Sequence, residues 1–449
     1  MLEDLKISFK LKKMKKRIIL FAFISALTLS AKAQTPTPAA DQSELILIMN
    51  ATAHLGNGKV IEKSIIAFEK GKITIVDDVQ TSRLDMSKYK KVINAAGKHV
   101  YPGFISMSTD LGLIEITAIR QTVDNSETGD MNPSVRSIVA YNTDSQVSPT
   151  VRSNGILLAQ ITPSGGTISG QSSVVELDAW NWEDAAYRLD EGMHINFPSS
   201  VSGGFNFLTG TFARGKNENF AKQIGELEQF FSEAKAYSEK ATYSPKNLKF
   251  EAMRDLFSQK KTLYIHANGA KEITEGVLFG KKMGCKTVIV GGQDAYLVTD
   301  ILKNNDISVI LDETQALPSR VDDDIDQPFK NPALLKKAGI RFSLSVDGNW
   351  QQRNLPLMAG QAVAFGLAYE DAVAAITSEP AKILGIDKTV GTVEEGKDAT
   401  LIITEGDVFD MRTSKVTHAF IRGKEIDLNN KQKDLYRRFK TKYDRLGGK

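Results

Sequence analysis

Apolar and polar positions alternate with a period of two in three short runs near the start of the chain, residues 45–49, 64–69 and 72–76, with Gly56, Gly58 and Gly71 between them. Alternation of this kind, punctuated by glycine, predicts small antiparallel strands that each bury one face. A second set appears at 399–404 and 417–422, followed by a turn at Gly423-Lys424. Two such sets at opposite ends of a chain predict one small β-sandwich domain, made of residues 44–98 plus 386–427, with a long middle inserted between its halves.

The middle has a different rhythm. Strand-like runs at 262–265, 287–290, 308–311 and 342–346 are separated by helix-like stretches at 272–283, 295–304 and 332–338. Repeats of about 20–35 residues of this kind mark βα units and a parallel sheet. Residues 99–385 have room for eight, so the predicted fold is α/β, a (β/α)8 TIM-like barrel, with an open doubly wound sheet as the competing architecture. Residues 110–150 and 198–250 are polar and weakly periodic and are expected to be loop insertions. Residues 428–449 are charged and helix-prone, with no visible chemistry.

The first residues change the picture of where the protein works. Lys12, Lys13, Lys15, Lys16 and Arg17 precede the apolar run 18–29, and Ala31-Lys32-Ala33 follows it. A basic region, a short apolar region and a small-x-small site are the three parts of a secretory signal peptide, expected over residues 1–33, with Met14 as an alternative start. A proline-punctuated linker, 34–43, comes next. The expected location is periplasmic or secreted, with no membrane association once the signal is removed. A net charge of +3 and evenly spread Lys and Arg give no expectation of a nucleic acid partner. The single cysteine, Cys285, excludes an internal disulfide and a thiolate metal cluster.

Two blocks carry a resemblance. Gly97-Lys98-His99-Val100-Tyr101-Pro102-Gly103-Phe104-Ile105 resembles the approach to the first barrel strand of metal-dependent amidohydrolases. The block 377–386, Thr-Ser-Glu-Pro-Ala-Lys-Ile-Leu-Gly-Ile, continued by 390–401, is similar to the end of their barrel. The Gly-rich stretch 162–171 looks like that of the imidazolonepropionase-like exported group. The resemblance covers residues 44–427. It implies a barrel with a composite β domain, and histidines and a carboxylate at the strand ends holding one or two divalent ions that activate water.

Against that expectation most metal-ligand positions are substituted. Where the resemblance implies Asp-x-His-x-His after the first strand, the chain has Ser106, Ser108 and Asp110. His194 lies in the stretch matching the fourth strand, which offers no bridging group. His266 occupies the fifth-strand position, the sixth-strand histidine is replaced by glycine at 291–292, and the seventh strand ends in Asp312-Glu313. Asp347 keeps the position of the proton-accepting aspartate after the eighth strand. His54, His99 and His418 are read as structural or surface residues.

The candidate catalytic residues are therefore Asp347 and His266, and Gly165, Gly166 and Gln171 are candidate substrate contacts at the barrel mouth. Glycine there serves either close approach to a ligand or an ordinary turn. No metal is assigned; a divalent ion such as zinc would fall to His266, Asp347 and Asp110. The chain reads as an exported amidohydrolase-like protein with a degenerate metal centre. Its expected role is a non-metal or inactive homologue that binds a small molecule at the mouth, self-associates, or pairs with an active homologue. The alternative is a hydrolase of C–N bonds in cyclic amides, imidazolone-like rings or dipeptides. Acidic Asp322-Asp323-Asp324 is read as a solvated loop.

Overall fold

Eighteen strands follow one another among the described residues of the computed structural model. Before the barrel they are β1 (Ile46–His54), β2 (Val60–Glu69), β3 (Lys72–Asp78), β4 (Lys91–Asn94) and β5 (His99–Pro102). The middle contributes β6 (Phe104–Thr109), β7 (Ile156–Ile161), β8 (Ile168–Glu176), β9 (Ala186–Asn196), β10 (Val201–Asn206), β11 (Thr211–Lys216), β12 (Thr262–Ala267), β13 (Lys286–Gly291), β14 (Ser308–Leu311) and β15 (Phe342–Leu344). Last come β16 (Leu401–Thr404), β17 (Val416–Ile421) and β18 (Lys424–Glu425). The chain divides into two units, Met1–Thr37 and Pro38–Lys449. The structure describes residues 37–206, 211–312, 314–318, 320 and 322–447. The expected signal peptide and Glu313 lie outside the described residues.

Both ends of the chain meet in one eight-stranded sheet, in the order β18-β17-β16-β5-β1-β2-β3 with β4 beside β1. Sequence pattern placed residues 99–102 with the barrel. They form β5 instead, parallel to β1 and antiparallel to β16, so β5 is the strand that joins the two halves. Gly56 shows why the joint is tight: its φ is +77°, and a Cβ would come within 2.9 Å of both Gly391 O and Pro102 Cγ.

The barrel sheet runs β15-β14-β13-β12-β9-β8-β7-β6. It departs from simple strand–helix repetition in one place. β8 is antiparallel to both β7 and β9, so seven strands run one way and one runs back. The cause is local: no helix separates β7 from β8, and the Gly-rich stretch turns the chain directly, with φ of +80° at Gly165 and +66° at Gly166. β7 and β8 are buried at every position, which erases the period-two pattern that would have betrayed the hairpin.

The seam between β15 and β6 is bridged through side chains and flanking backbone. Ser345 Oγ donates to Met107 O at 2.6 Å, and Ile105 N donates to Ile376 O at 2.9 Å. Helices stop where the sequence supplies a left-handed cap: Ala270–Met283 ends at Gly284 and Gln327–Ala338 at Gly339, with φ of +78° and +76°. Residues 198–250, expected as a loop insertion, hold the hairpin β10–β11 and the helix Phe220–Ser238, and the helix Leu248–Phe257 begins at their end. No helix among the described residues is long and apolar enough to cross a membrane.

Candidate functional site

The mouth of the barrel is assembled from the residues at or just beyond the ends of its parallel strands. Ser108 and Asp110 come from β6, Ser164 follows β7, Asn196 ends β9, His266 lies near the end of β12, and Asp312 and Asp347 follow β14 and β15. They line a cavity of about 240 Å³. A broader groove of about 950 Å³ shares Asn196, His266 and Asp312 and extends toward the start of the helix Ala270–Met283.

Two carboxylates define the character of the smaller cavity. Asp110 is half-buried, and its Oδ1 has no hydrogen-bond partner among the described residues. Burial, and then the nearby Asp347, push its pKa up to about 6. Asp347 is exposed and accepts from Gly348 N at 2.8 Å. Ser108, between Asp110 and the core, has φ of +48°, an uncommon conformation for a residue with a Cβ. It sits at the irregularity where the β6–β7 register shifts, and its N–H donates to Gln160 Oε1 at 3.1 Å.

Beneath the mouth lies a polar layer. His194 Nδ1 and His266 Nε2 are 2.9 Å apart and share one proton between them. Burial holds His266 down at about 4, and burial followed by the His266 ring holds His194 well below the usual imidazole value. Both rings are neutral at pH 7, and His194 stacks on Tyr264 with 4.6 Å between ring centroids. One step deeper, Glu191 accepts from Gln160 Nε2 at 2.6 Å, Ser172 Oγ at 2.5 Å and Tyr264 OH at 2.9 Å. Full burial outweighs these three donors and raises the Glu191 carboxyl above its ordinary range.

Most positions at which the resemblance implies metal ligands carry residues of other chemistry. Ser106, at the position of the implied aspartate, donates to Gln352 Oε1, and Gln352 Nε2 in turn donates to Val346 O and Gly348 O. Ser108 offers a neutral hydroxyl, a poor zinc ligand beside imidazole. Gly291, at the end of β13, offers no side chain. The two imidazoles each spend a nitrogen on the other. Among the described residues no group of three His, Cys, Asp or Glu is arranged to hold a metal.

The amidohydrolase family model matches residues 57–426. The chain belongs to the amidohydrolase family. An amidohydrolase from Thermotoga maritima MSB8 superposes with a TM-score of 0.72 at 22% identity, over 85% of this chain and 99% of that one. Ochratoxinase from A. niger gives 0.55 at 13%, over 86% and 96%. A Xaa-Pro dipeptidase solved with bound methionine gives 0.52 at 15%, over 85% and 100%. At these identities the likeness speaks for the fold alone. No curated protein gives a significant sequence match.

Within this amidohydrolase-family barrel the structure brings His266, Asp347 and Asp110 to one cavity. It does not bring the candidate substrate contacts with them. Gly165 and Gly166 form the β7–β8 turn, packed on the segment before β7: a Cβ at Gly166 would lie 2.6 Å from Asp130 O. Gln171 is buried away from the opening, its amide donating to Pro133 O at 3.0 Å and accepting from Lys261. The neighbours Ser164 and Ser169 line the cavity instead. Glycine count drew attention to the turn, while β8 running backward decides which of its residues face inward.

Sequence reading also passed over Asn196 and Arg320. Asn196 closes one side of the cavity and is held by Nδ2 donating to Gly166 O at 2.7 Å. Arg320 clasps Asp294 with two 2.8 Å bonds and reaches Asp323 at 2.9 Å. The acidic run is therefore partly paired: Asp323 with Arg320, and Asp324 with Lys330 at 2.5 Å. Of the two roles read for His54, structural or surface, the structure gives the structural one. His54 contacts Glu370 at 2.6 Å and His99 at 3.1 Å, between the small sheet and the helix Tyr369–Ala375. Only a spacing of 316 residues in the chain hid that pair.

Proposed function

We propose that this protein is an exported, metal-independent member of the amidohydrolase family whose barrel mouth binds a small polar molecule, acting as a binding or partner subunit. The observation that carries the reading is the 2.9 Å contact between His194 Nδ1 and His266 Nε2. One ring donates and the other accepts, so the lone pair of the accepting nitrogen is spent inside the pair rather than offered to a metal. The acidic lining, Asp110, Asp312 and Asp347, favours a ligand that presents an amine, guanidine or other cationic donor. The test is elemental analysis of protein purified without chelators, beside a His266→Ala control. Metal well below one equivalent in both, with no gain on reloading with zinc or manganese, supports the reading. An equivalent or more that is lost in the control ends it.

A second reading, hydrolysis of C–N bonds, is favoured by one observation. Asp110, pushed up to about 6, is an acid placed beside the Asp347 carboxylate in the same cavity. Solved relatives include a Xaa-Pro dipeptidase and a molinate hydrolase, so cyclic amides and dipeptides are the compounds to screen. Turnover that disappears in Asp347→Asn with folding intact selects this reading; unchanged turnover in that variant removes it.

A further inference from the structure

The helix Lys431–Arg445 has no buried residue. Its start is well formed, since the Asn430 side chain accepts from Lys433 N at 2.8 Å, and it is moored by Thr150 Oγ1 donating to Gln432 at 2.9 Å and by Asn430 donating to Ser153 at 2.9 Å. Beyond these moorings it runs clear of the body with large apolar side chains in solvent: Leu435, Tyr436, Phe439 and Tyr443, with Leu446 just after it. Phe439 is 47% exposed and Tyr443 58%.

At 3.6 residues per turn these five positions fall within an arc of roughly 100°. Seven cations share the helix with two carboxylates. Lys442, Lys431 and Arg438 border one edge of the arc and Lys440 and Lys433 the other. Asp434 and Asp444 lie on the far side, paired with Arg437 and Lys440. The balance of this helix is +5, whereas residues 1–36 carry eight Lys or Arg against two acids, which leaves the rest of the chain after 36 acidic.

We propose that this helix docks on an anionic phospholipid surface, with Leu435, Phe439 and Tyr443 at the acyl boundary and the bordering Lys and Arg against lipid phosphates. An aromatic and aliphatic stripe edged by cations is the pattern of a helix that lies in the plane of a bilayer. At about 1.5 Å per residue the helix is near 22 Å long, too short and too charged to cross about 30 Å of hydrocarbon. A second copy is a poor occupant. A heptad seam through Leu435 and Phe439 would also contain Gln432 and Lys442, and two +5 helices repel. The proposal departs, for this segment, from the expectation of no membrane association.

The test is vesicle co-sedimentation of the full chain and of the chain beginning at Gln34, which lacks the apolar run 18–29. Vesicles contain about 30 mol% phosphatidylglycerol in phosphatidylcholine, or phosphatidylcholine alone, at about 0.1 and about 0.5 M salt. Expected is binding of both chains to anionic vesicles, weakened about tenfold or more by neutral lipid, by high salt, by Phe439→Asp and by the pair Arg438→Glu, Lys442→Glu. Circular dichroism and the melting profile of each variant stay as in the parent. The proposal is overturned if the chain beginning at Gln34 fails to bind anionic vesicles, or binds as well with Phe439→Asp. A concentration-dependent dimer that Phe439→Asp dissociates, without vesicle binding, also overturns it and assigns the stripe to a second copy.

Discussion

Asp110→Asn is expected to make the protein more stable at neutral and alkaline pH. Asp110 has a carboxylate oxygen buried without a donor, and its pKa rises from an ordinary 3.8 to about 6. A group whose folded value lies above its unfolded value binds its proton more tightly in the folded state. Its favourable contribution is complete below about 3.8 and is lost as pH climbs through about 6. At about 1.4 kcal/mol per pH unit the full cost is roughly 3 kcal/mol above pH 6, and partial solvent access reduces this to about 1–2 kcal/mol. Asn keeps the shape and removes the charge. Urea unfolding of parent and variant from about pH 4 to about pH 8 checks this. The two curves should coincide near pH 4 and separate through pH 6, with Asn the more stable. A variant equal to the parent, or weaker, at about pH 8 refutes the account of Asp110 as an uncompensated carboxylate. The result bears on function because a residue that costs stability where it stands is retained for what it binds or does.

Three further outcomes are expected. Gln352→Ala should cost about 2–4 kcal/mol in chemical unfolding, because it strips one acceptor from Ser106 and two donors from the backbone between β15 and its following helix. Arg320→Ala should leave the unfolding midpoint nearly unchanged while speeding proteolytic nicking of the segment after β14, since the bidentate clasp on Asp294 is lost. The ring resonances of His194 and His266 should not titrate between about pH 8 and about pH 5. With His266 lowered from 6.5 to about 4, its contribution is complete above about 6.5 and lost as pH falls through 4, so His266→Leu should flatten the acid side of the stability profile.

Much of the scaffold was legible because its signals are local. The alternation at 45–49 and 64–69 and the glycines between give β1 and β2. The runs at 262–265, 287–290 and 308–311 fall inside β12, β13 and β14. The blocks around Pro102 and Pro380 placed the barrel's two ends, and the family match over 57–426 agrees with them. The antiparallel β8 was not legible, because a strand buried on both faces has no alternation to read. A Gly-Gly turn beginning four residues after the end of β7 was the one available sign of a hairpin.

The site divides in the same way. That Ser106, Ser108 and Gly291 cannot supply imidazole or carboxylate follows from identity alone. That His194 reaches His266 does not, since 72 residues separate them and only the parallel register of β9 on β12 brings the rings together. Pairing of Asp110 with Asp347 likewise depends on β6 and β15 being the two ends of one nearly closed sheet.

Those contacts also tie the strands around the barrel mouth to one another. An ion bound by residues from several strands would act as a cross-link among them. Hydrogen bonds in this barrel link strands in the same way. Ser106 and Gln352 tie β6 to the loop after β15, Ser345 ties that loop to Met107, and His194 with His266 ties β9 to β12. Gln160, Ser172 and Tyr264 gather β7, β8 and β12 onto the single carboxyl of Glu191. Most groups in this layer have their partners, and among the described residues the unpartnered buried atoms include His194 Nε2 below the mouth and Asp110 Oδ1 at it. A scaffold that only had to stay folded would gain by replacing Asp110 with a neutral side chain. Its presence beside Asp347 in the same cavity is a cost that a bound cationic or hydrogen-bond-donating group would offset.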